Sequence, residues 1–115
     1  SRPTDVKEAS DVPSTFGLDQ NYPNPFNPAT KIGFRITDYG IVSLKVFDVL
    51  GKEVATLVDE NLVAGFYHKF FNANSLASGL YIYRLLSRPK DVRRLDASSG
   101  QAGSFVETKR MVLLR

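Results

Sequence analysis

The 115-residue sequence contains no cysteine and no tryptophan, and its single histidine is His68. Without cysteine the chain can form neither a disulfide framework nor a thiolate metal site, and one histidine alone cannot complete a zinc site. Phosphate-binding glycine loops, EF-hand loops and a nucleophile elbow around Ser78 are missing too. The sequence therefore predicts no enzyme, no cofactor and no metal centre, although a calcium ion held by loop carboxylates stays open.

Long apolar runs and a strong charge bias are also missing. No apolar stretch approaches the ~20 residues of a membrane-spanning helix, so no membrane span is predicted. The formal net charge is only +3, which is too weak a bias to indicate nucleic acid. Four basic residues cluster at Arg88, Lys90, Arg93 and Arg94. We interpret them as a solvated loop, with contact to an anionic partner as the alternative.

What the sequence does contain is typical of β-strands. Eight Phe, five Tyr and many Val and Ile favour a pleated surface. Apolar residues alternate with polar ones over 32–36 and 42–46. Further strands are predicted near 53–59, 66–71, 80–86 and 105–114, with turns at Gly51, Gly65 and Gly79. Six strands without an amphipathic helix predict an all-β, antiparallel β-sandwich.

Two segments interrupt this pattern. Residues 1–17 are polar, contain two prolines and have no apolar period, so they are predicted to be a linker. Residues 87–104 are rich in Ser, Gly, Arg and Asp. Because most hairpin loops have two to five residues, we interpret 87–104 as a loop inserted between two strands.

A proline motif lies between the predicted linker and the first strand. Its prolines fix φ and push the preceding residues toward extended geometry, which excludes a helix or a central strand. We predict a stiff, extended brace held to the domain by Tyr22 and Phe26, with docking into a partner groove as the alternative. The brace comprises Tyr22, Pro23, Asn24, Pro25, Phe26, Asn27 and Pro28.

Four segments of the sequence, in order, are LDQNYPNPFNPATKI at 18–32, VFDVLGKEV at 46–54, LASGLYIYRL at 76–85 and TKRMVLLR at 108–115. Together they resemble the type A C-terminal sorting domain of the type IX (Por) secretion system. The first is highly specific, because strand physics gives little reason for such a proline run. The resemblance implies a seven-stranded, immunoglobulin-like sandwich over residues 18–115, preceded by a linker from an upstream passenger domain.

The resemblance also implies what such a domain does. It would direct its passenger through the periplasm and across the outer membrane by the type IX translocon. A sortase-like peptidase would then remove the domain, and the passenger would be attached to the cell surface or released. No signal peptide opens the sequence, so we expect any such peptide in a region outside this chain. Cleavage is expected in the linker 1–17.

The end of the chain is the hypothetical recognition segment. It would offer main-chain groups and positive charge to a receptor as an edge strand, unless it is simply a core strand. The segment consists of Lys109, Arg110, Met111, Val112, Leu113, Leu114 and Arg115. One departure from the family pattern is Lys69, which stands where an apolar residue is usual and indicates either that its strand is an edge or that the register of the strand differs.

The alternative from another class is an accessory immunoglobulin-like module that binds carbohydrate or a surface protein. Such a module would place exposed aromatic side chains on one face, and the candidates are Tyr39, Phe47, Tyr67 and Tyr83. The immunoglobulin-like domain of flagellar hook-capping proteins has similar strand motifs, but the proline motif argues against it.

Overall fold

The computed structural model describes residues 13–90 and 104–115. Within these residues the chain forms seven β-strands and no helix, so no helix there could span a membrane. The strands are β1 (Gly17–Leu18), β2 (Ala29–Ile36), β3 (Gly40–Phe47), β4 (Glu53–Leu62), β5 (Gly65–Asn72), β6 (Gly79–Pro89) and β7 (Phe105–Leu113).

The strands form two antiparallel sheets. One sheet has the order β1-β2-β5, and the other has the order β4-β3-β6-β7. Facing sheets of this kind bury the alternate residues of their inner faces. The predicted fold class, an all-β immunoglobulin-like antiparallel sandwich of about seven strands, is confirmed.

The core follows the period-two pattern. In β2 and β3 every second side chain is buried, while the side chains between them are half-buried or exposed. Burying one such aliphatic or aromatic side chain contributes roughly 1.5–3 kcal/mol. The fully buried large residues are Phe26, Ile32, Phe34, Ile36, Val42, Leu44, Val46, Tyr83, Leu85, Met111 and Leu113.

The sandwich begins earlier than composition indicates. Gly17, the last residue of the predicted linker, pairs with Arg35 in β1, and Pro13 is buried. Phe16 stacks on Phe105, with ring centroids 5.3 Å apart. These residues are held by partners distant in sequence, which local polarity does not reveal. Residues 1–12 of the predicted linker lie outside the described residues.

The predicted insertion is also shorter than its composition suggests. Ser87, Arg88 and Pro89 belong to β6, and Ser87 is buried and pairs with Phe105 of β7. Strand β3 supports this extension, because Gly40 pairs with Pro89 and Ile41 pairs with Arg88. The polar composition of residues 87–89 does not indicate a strand, because only one face of this part of β6 is buried. Residues 91–103 lie outside the described residues.

The turn glycines differ in their backbone conformation. Gly51 has φ +88° in the β3–β4 turn, where Asp48 Oδ1 accepts hydrogen bonds from Leu50 N and Lys52 N, each at 2.9 Å. Gly79 has φ +154° at the start of β6. Gly65 is the first residue of β5 and pairs with Ile36.

Candidate recognition surface

The proline motif turns back on itself. Tyr22 and Lys31 exchange both backbone hydrogen bonds at 2.9 Å, so residues 22–31 form a closed loop beside β2. The prediction of an extended segment is wrong for this reason. The peptide bonds before Pro23, Pro25 and Pro28 are cis.

Asn21 holds this loop from the inside. Its side chain is buried, and Nδ2 donates to Pro23 O and to Thr30 Oγ1, each at 3.0 Å. The Thr30 hydroxyl donates to the same Pro23 carbonyl at 2.9 Å. Buried polar groups need such partners, because an unpaired one costs about 1–3 kcal/mol. The closed loop is therefore fixed by a satisfied polar network.

Tyr83 ties the same network to β6. Its side chain is fully buried, and its hydroxyl donates to Asp19 O at 2.7 Å and accepts from Asn21 N at 2.8 Å. Burial raises the pKa of Tyr83 to about 12, because the phenolate would lose its hydration. The neutral hydroxyl can both donate and accept, which is what the two backbone groups require.

Phe26 is the hydrophobic anchor of the motif. Its ring is buried and packs against Phe71, with centroids 6.1 Å apart. Its backbone extends the sheet beyond β7, since Phe26 N donates to Val112 O at 2.9 Å and Leu114 N donates to Phe26 O at 3.0 Å. Tyr22, the other predicted anchor, has a side chain that is 78% exposed, so only its main chain holds the loop.

Two further side chains join the motif to β7. Asn24 Oδ1 accepts from Val112 N at 2.9 Å, and Gln20 Nε2 donates to Arg110 O at 2.7 Å. We call the contact between residues 20–28 and β7 the seam. The seam brings the predicted brace and the predicted recognition segment together, which no local pattern could have shown, because Asn24 and Val112 are 88 positions apart.

Strand β7 divides the recognition segment between the two faces of its sheet. Met111 and Leu113 are buried in the core, whereas Val112 is half-buried and Arg110 is exposed on the outer face. Leu114 lies beyond the strand and is 54% exposed. The segment is thus a core strand on one face and an accessible strand on the other.

The last residue is tied to the body of the domain. Arg115 Nη1 donates to the carbonyl oxygens of Ala73, Asn74 and Leu76 at 3.1, 2.6 and 2.9 Å. The backbone N–H of Arg115 donates to Ser78 Oγ at 2.9 Å. Its charge is therefore engaged in closing the β5–β6 connection, and the positive groups near the seam that remain accessible are those of Lys109 and Arg110.

Lys109 and Arg110 border an open groove of about 530 Å³ along the seam. Lys109 Nζ lies 3.9 Å from Glu107 Oε2, and Glu107 Oε1 in turn accepts from Leu18 N at 2.9 Å. Arg110 pairs with Ile82 across the sheet and has no side-chain partner among the described residues. The other residues lining the groove are Gln20, Asn24, Leu80, Thr108 and Val112.

The aromatic residues predicted for a binding module do not share a surface. Tyr83 is buried, and Tyr67 stacks on Phe34 of the inner face with centroids 5.5 Å apart. Phe47 lies on the outer face of the other sheet, covered by Arg84 at 4.7 Å from its ring centre. The described residues also hold no group of three or more His, Asp or Glu that could bind a metal ion.

Gln20, Asn21, Thr30 and Tyr83 are seam or loop residues that sequence reasoning missed as site residues. All four lie in segments with family resemblance, but only Gln20 and Asn21 stand directly before the proline motif. The roles of Thr30 and Tyr83 depend on their hydrogen bonds with Asn21, which lies 9 positions from Thr30 and 62 positions from Tyr83 in the sequence.

Comparison with known proteins gives one family and one structure. The profile of the secretion system C-terminal sorting domain matches residues 20–94. No curated protein matches the chain. CopC from Methylosinus trichosporium OB3b is a similar solved structure, with 16% identity, a TM-score of 0.47, and coverage of 86% of this chain and 93% of that chain. Since the family profile spans most of the sandwich, including the proline motif, the chain belongs to the family of type IX secretion system C-terminal sorting domains.

Proposed function

We propose that the type IX translocon recognises this sorting domain in its folded form, through the seam between residues 20–28 and β7. The family is one of sorting signals and is not enzymatic, and it implies secretion through the outer membrane to the cell surface or the medium. The observation that carries the proposal is that two segments with family resemblance, far apart in sequence, meet at one accessible groove.

Charge supports the choice of this groove. Lys109 and Arg110 stand at its border, while Glu107 is occupied by Leu18 N and Lys109. Complementary charge at an interface raises the association rate and selects the partner. The receptor surface would accordingly be acidic and would read the side chains of Arg110 and Lys109 together with the polar groups of Asn24 and Gln20.

Processing belongs to the same proposal. A sortase-like peptidase would cut before Gly17, because from Gly17 onward the chain is paired in β1 of the sandwich. The passenger would then be attached to the surface or released. The domain itself would act as a substrate and perform no catalysis.

The test is an export assay in a bacterium with type IX machinery. Residues 1–115 are fused behind a signal peptide and a fluorescent reporter. Arg110→Glu is expected to reduce export about tenfold or more by opposing the acidic receptor. The matched control is Arg88→Glu, which reverses an exposed charge on β6 away from the groove and should export normally.

Equal export of the wild type and Arg110→Glu, with both proteins folded, would contradict recognition at the seam. Mass spectrometry of the exported reporter locates the cut, which we expect within residues 1–16.

A further inference from the structure

Each sheet of the sandwich has two edges, and edges expose unpaired backbone groups that invite association. Strand β7 is covered by Gln20, Asn24 and Phe26 at the seam. Strand β4 carries the acidic residues Asp59 and Glu60, and such charges discourage edge pairing. Strand β1 has only two residues, which is a very short edge. Strand β5 is different, because it is eight residues long and ends its sheet beside β2.

The outer face of β5 displays aromatic side chains. Phe66 is 57% exposed and Phe70 is 69% exposed, and both lie on the face opposite the core. His68 stands between them, with its ring edge-on to Phe70 at 5.5 Å. Contiguous exposed apolar groups on an edge strand mark either an interaction site or an aggregation hazard.

The same three residues direct their backbone groups to the side of β5 that no other strand of the described residues covers. Ala73 N donates to Pro28 O at 2.8 Å, so residues of odd number in β5 bond to β2. In an antiparallel ladder the residues between them face the other way. The N–H and C=O groups of Phe66, His68 and Phe70 therefore point away from β2.

We propose that β5 is a self-association edge, at which two copies of the domain pair antiparallel about a two-fold axis at His68. In this register His68 faces the partner's His68, and Phe66 faces the partner's Phe70. The two chains exchange hydrogen bonds at each of these positions. The exposed rings become three cross-strand aromatic pairs, the kind of contact that stabilises sheets.

Lys69 specifies this register. It lies on the inner face, opposite Ile32, yet remains exposed. In the proposed pairing it faces the partner's Tyr67, whose ring can accept a cation. Moving the two-fold axis by one residue, which slips the register by two, would place Lys69 opposite Lys69 of the partner subunit, so that like charges would repel.

Neighbouring charge does not oppose the contact. Arg35, beside Phe66, is paired with Asp19 at 2.7 Å. Lys31, beside Phe70, belongs to β2, so strand β5 lies between its backbone and the second copy. An eight-residue edge buries less than the roughly 1,200 Å² of a standard interface, so the dimer is expected to be weak, with a Kd of roughly 1–100 μM.

The test uses thiol crosslinking of the 115-residue chain, which has no cysteine of its own. His68→Cys places two thiols at directly opposite positions, about 5.5 Å apart between Cα atoms, within reach of a disulfide. Phe66→Cys is the matched control, because its thiols would be about 14 Å apart along the strand. Combining Phe66→Cys with Phe70→Cys should restore the crosslink.

Sedimentation of the wild type and Phe70→Lys completes the test. Phe70→Lys should weaken self-association roughly tenfold or more, while Leu50→Lys, at a side chain 89% exposed in a turn, should leave it unchanged. Equal crosslinking of His68→Cys and Phe66→Cys would overturn the proposal. So would a chain that stays monomeric at about 1 mM, a concentration far above the expected Kd, and binding of an extended acidic peptide by that monomer would then assign the edge to a different partner.

Discussion

At the scale of single residues, a few polar side chains determine how the proline motif is held. Asn21, Thr30 and Tyr83 surround the start of the motif with hydrogen bonds that are buried or partly buried. Each bond contributes only about 1 kcal/mol net, but leaving its partner unsatisfied costs more. The motif is therefore sensitive to the loss of one oxygen atom.

Tyr83→Phe tests this sensitivity. The change leaves Asp19 O without its donor and Asn21 N without its acceptor, so the free energy of unfolding should fall by about 1–3 kcal/mol. Chemical denaturation measures the change. Tyr39→Phe, at a tyrosine 50% exposed, is the control and should alter stability by less than about 0.5 kcal/mol. If Tyr83→Phe left the free energy of unfolding unchanged, the hydrogen-bond network would be contradicted.

The pKa of Tyr83 adds a pH dependence. Because burial raises this pKa to about 12 from an ordinary value of 10.0, the unfolded chain releases the proton first as pH rises. The contribution of Tyr83 is complete below pH 10 and is lost toward pH 12. The stability difference between the wild type and Tyr83→Phe should therefore shrink over this range. A difference that is constant up to pH 12 would refute the raised pKa.

Two asparagines of the motif form a matched pair. Asn24 accepts a hydrogen bond from Val112 N, whereas Asn27 is exposed and has no side-chain partner among the described residues. Asn24→Ala should lower the free energy of unfolding by about 0.5–1.5 kcal/mol, and Asn27→Ala by less than about 0.5 kcal/mol. Thermal unfolding ranks the two variants, and the reverse ranking would be inconsistent with the seam.

At the scale of elements, β7 serves the core and the surface at once. Removing residues 109–115 deletes Met111 and Leu113 from the core, and a single large-to-small change there costs about 2–5 kcal/mol. Loss of export after such a deletion therefore cannot distinguish unfolding from lost recognition. Substitutions on the outer face of β7, such as those at Arg110, can make that distinction.

The contact between β3 and β6 gives a prediction about backbone packing. A Cβ on Gly40 would lie 2.1 Å from Arg88 O and 2.6 Å from Pro89 Cα, so Gly40→Ala should lower the free energy of unfolding by about 1–3 kcal/mol. A Cβ on Gly65 would have Tyr67 Cε2 as its nearest atom, at 3.4 Å. Gly65→Ala should therefore change the free energy of unfolding by less than about 0.5 kcal/mol. Denaturation curves of the two variants that coincide would argue against this close approach.

The sequence predicts the elements whose stabilisation is local. Strands β2 and β3 alternate strictly, so their period reveals both position and buried face. In β4 a bulge opposite Leu44 and Lys45 breaks the period, and the strand continues to Leu62, beyond the predicted end near Asp59. Strand β1 has two residues and a hydrogen bond from Leu18 N to Glu107, 89 positions away, which no local window contains.

The candidate site, like the fold, can be predicted from the sequence only in part. Its two segments can be recognised by their residues, but their contact depends on pairs such as Asn24 and Val112 that only the folded chain brings together. Phe66 and Phe70 of β5 cannot be identified as exposed from the sequence, because aromatic side chains occupy both faces of the strand: Phe66 and Phe70 on one, Tyr67 and Phe71 on the other. Alternation alone does not identify the exposed face of such a strand.

At the scale of the whole molecule, the proposed recognition at the seam would join the sorting signal to the strand that completes the core of the sandwich. Because folding brings the two sides of the seam together, a folded domain would present such a signal and an unfolded one would not. Stability and recognition are nonetheless separable, because Arg110 contributes to the groove and Gly40 only to the packing of β3 against β6.

The most direct measurement is export of the reporter fusion by Arg110→Glu and Gly40→Ala in parallel, at a temperature where both variants are folded by circular dichroism. If the translocon recognises the seam, Arg110→Glu should keep the wild-type Tm but be retained in the periplasm. Gly40→Ala should have a lower Tm and be exported. Normal export of folded Arg110→Glu would contradict recognition at the seam, and retention of folded Gly40→Ala would show that export depends on stability instead.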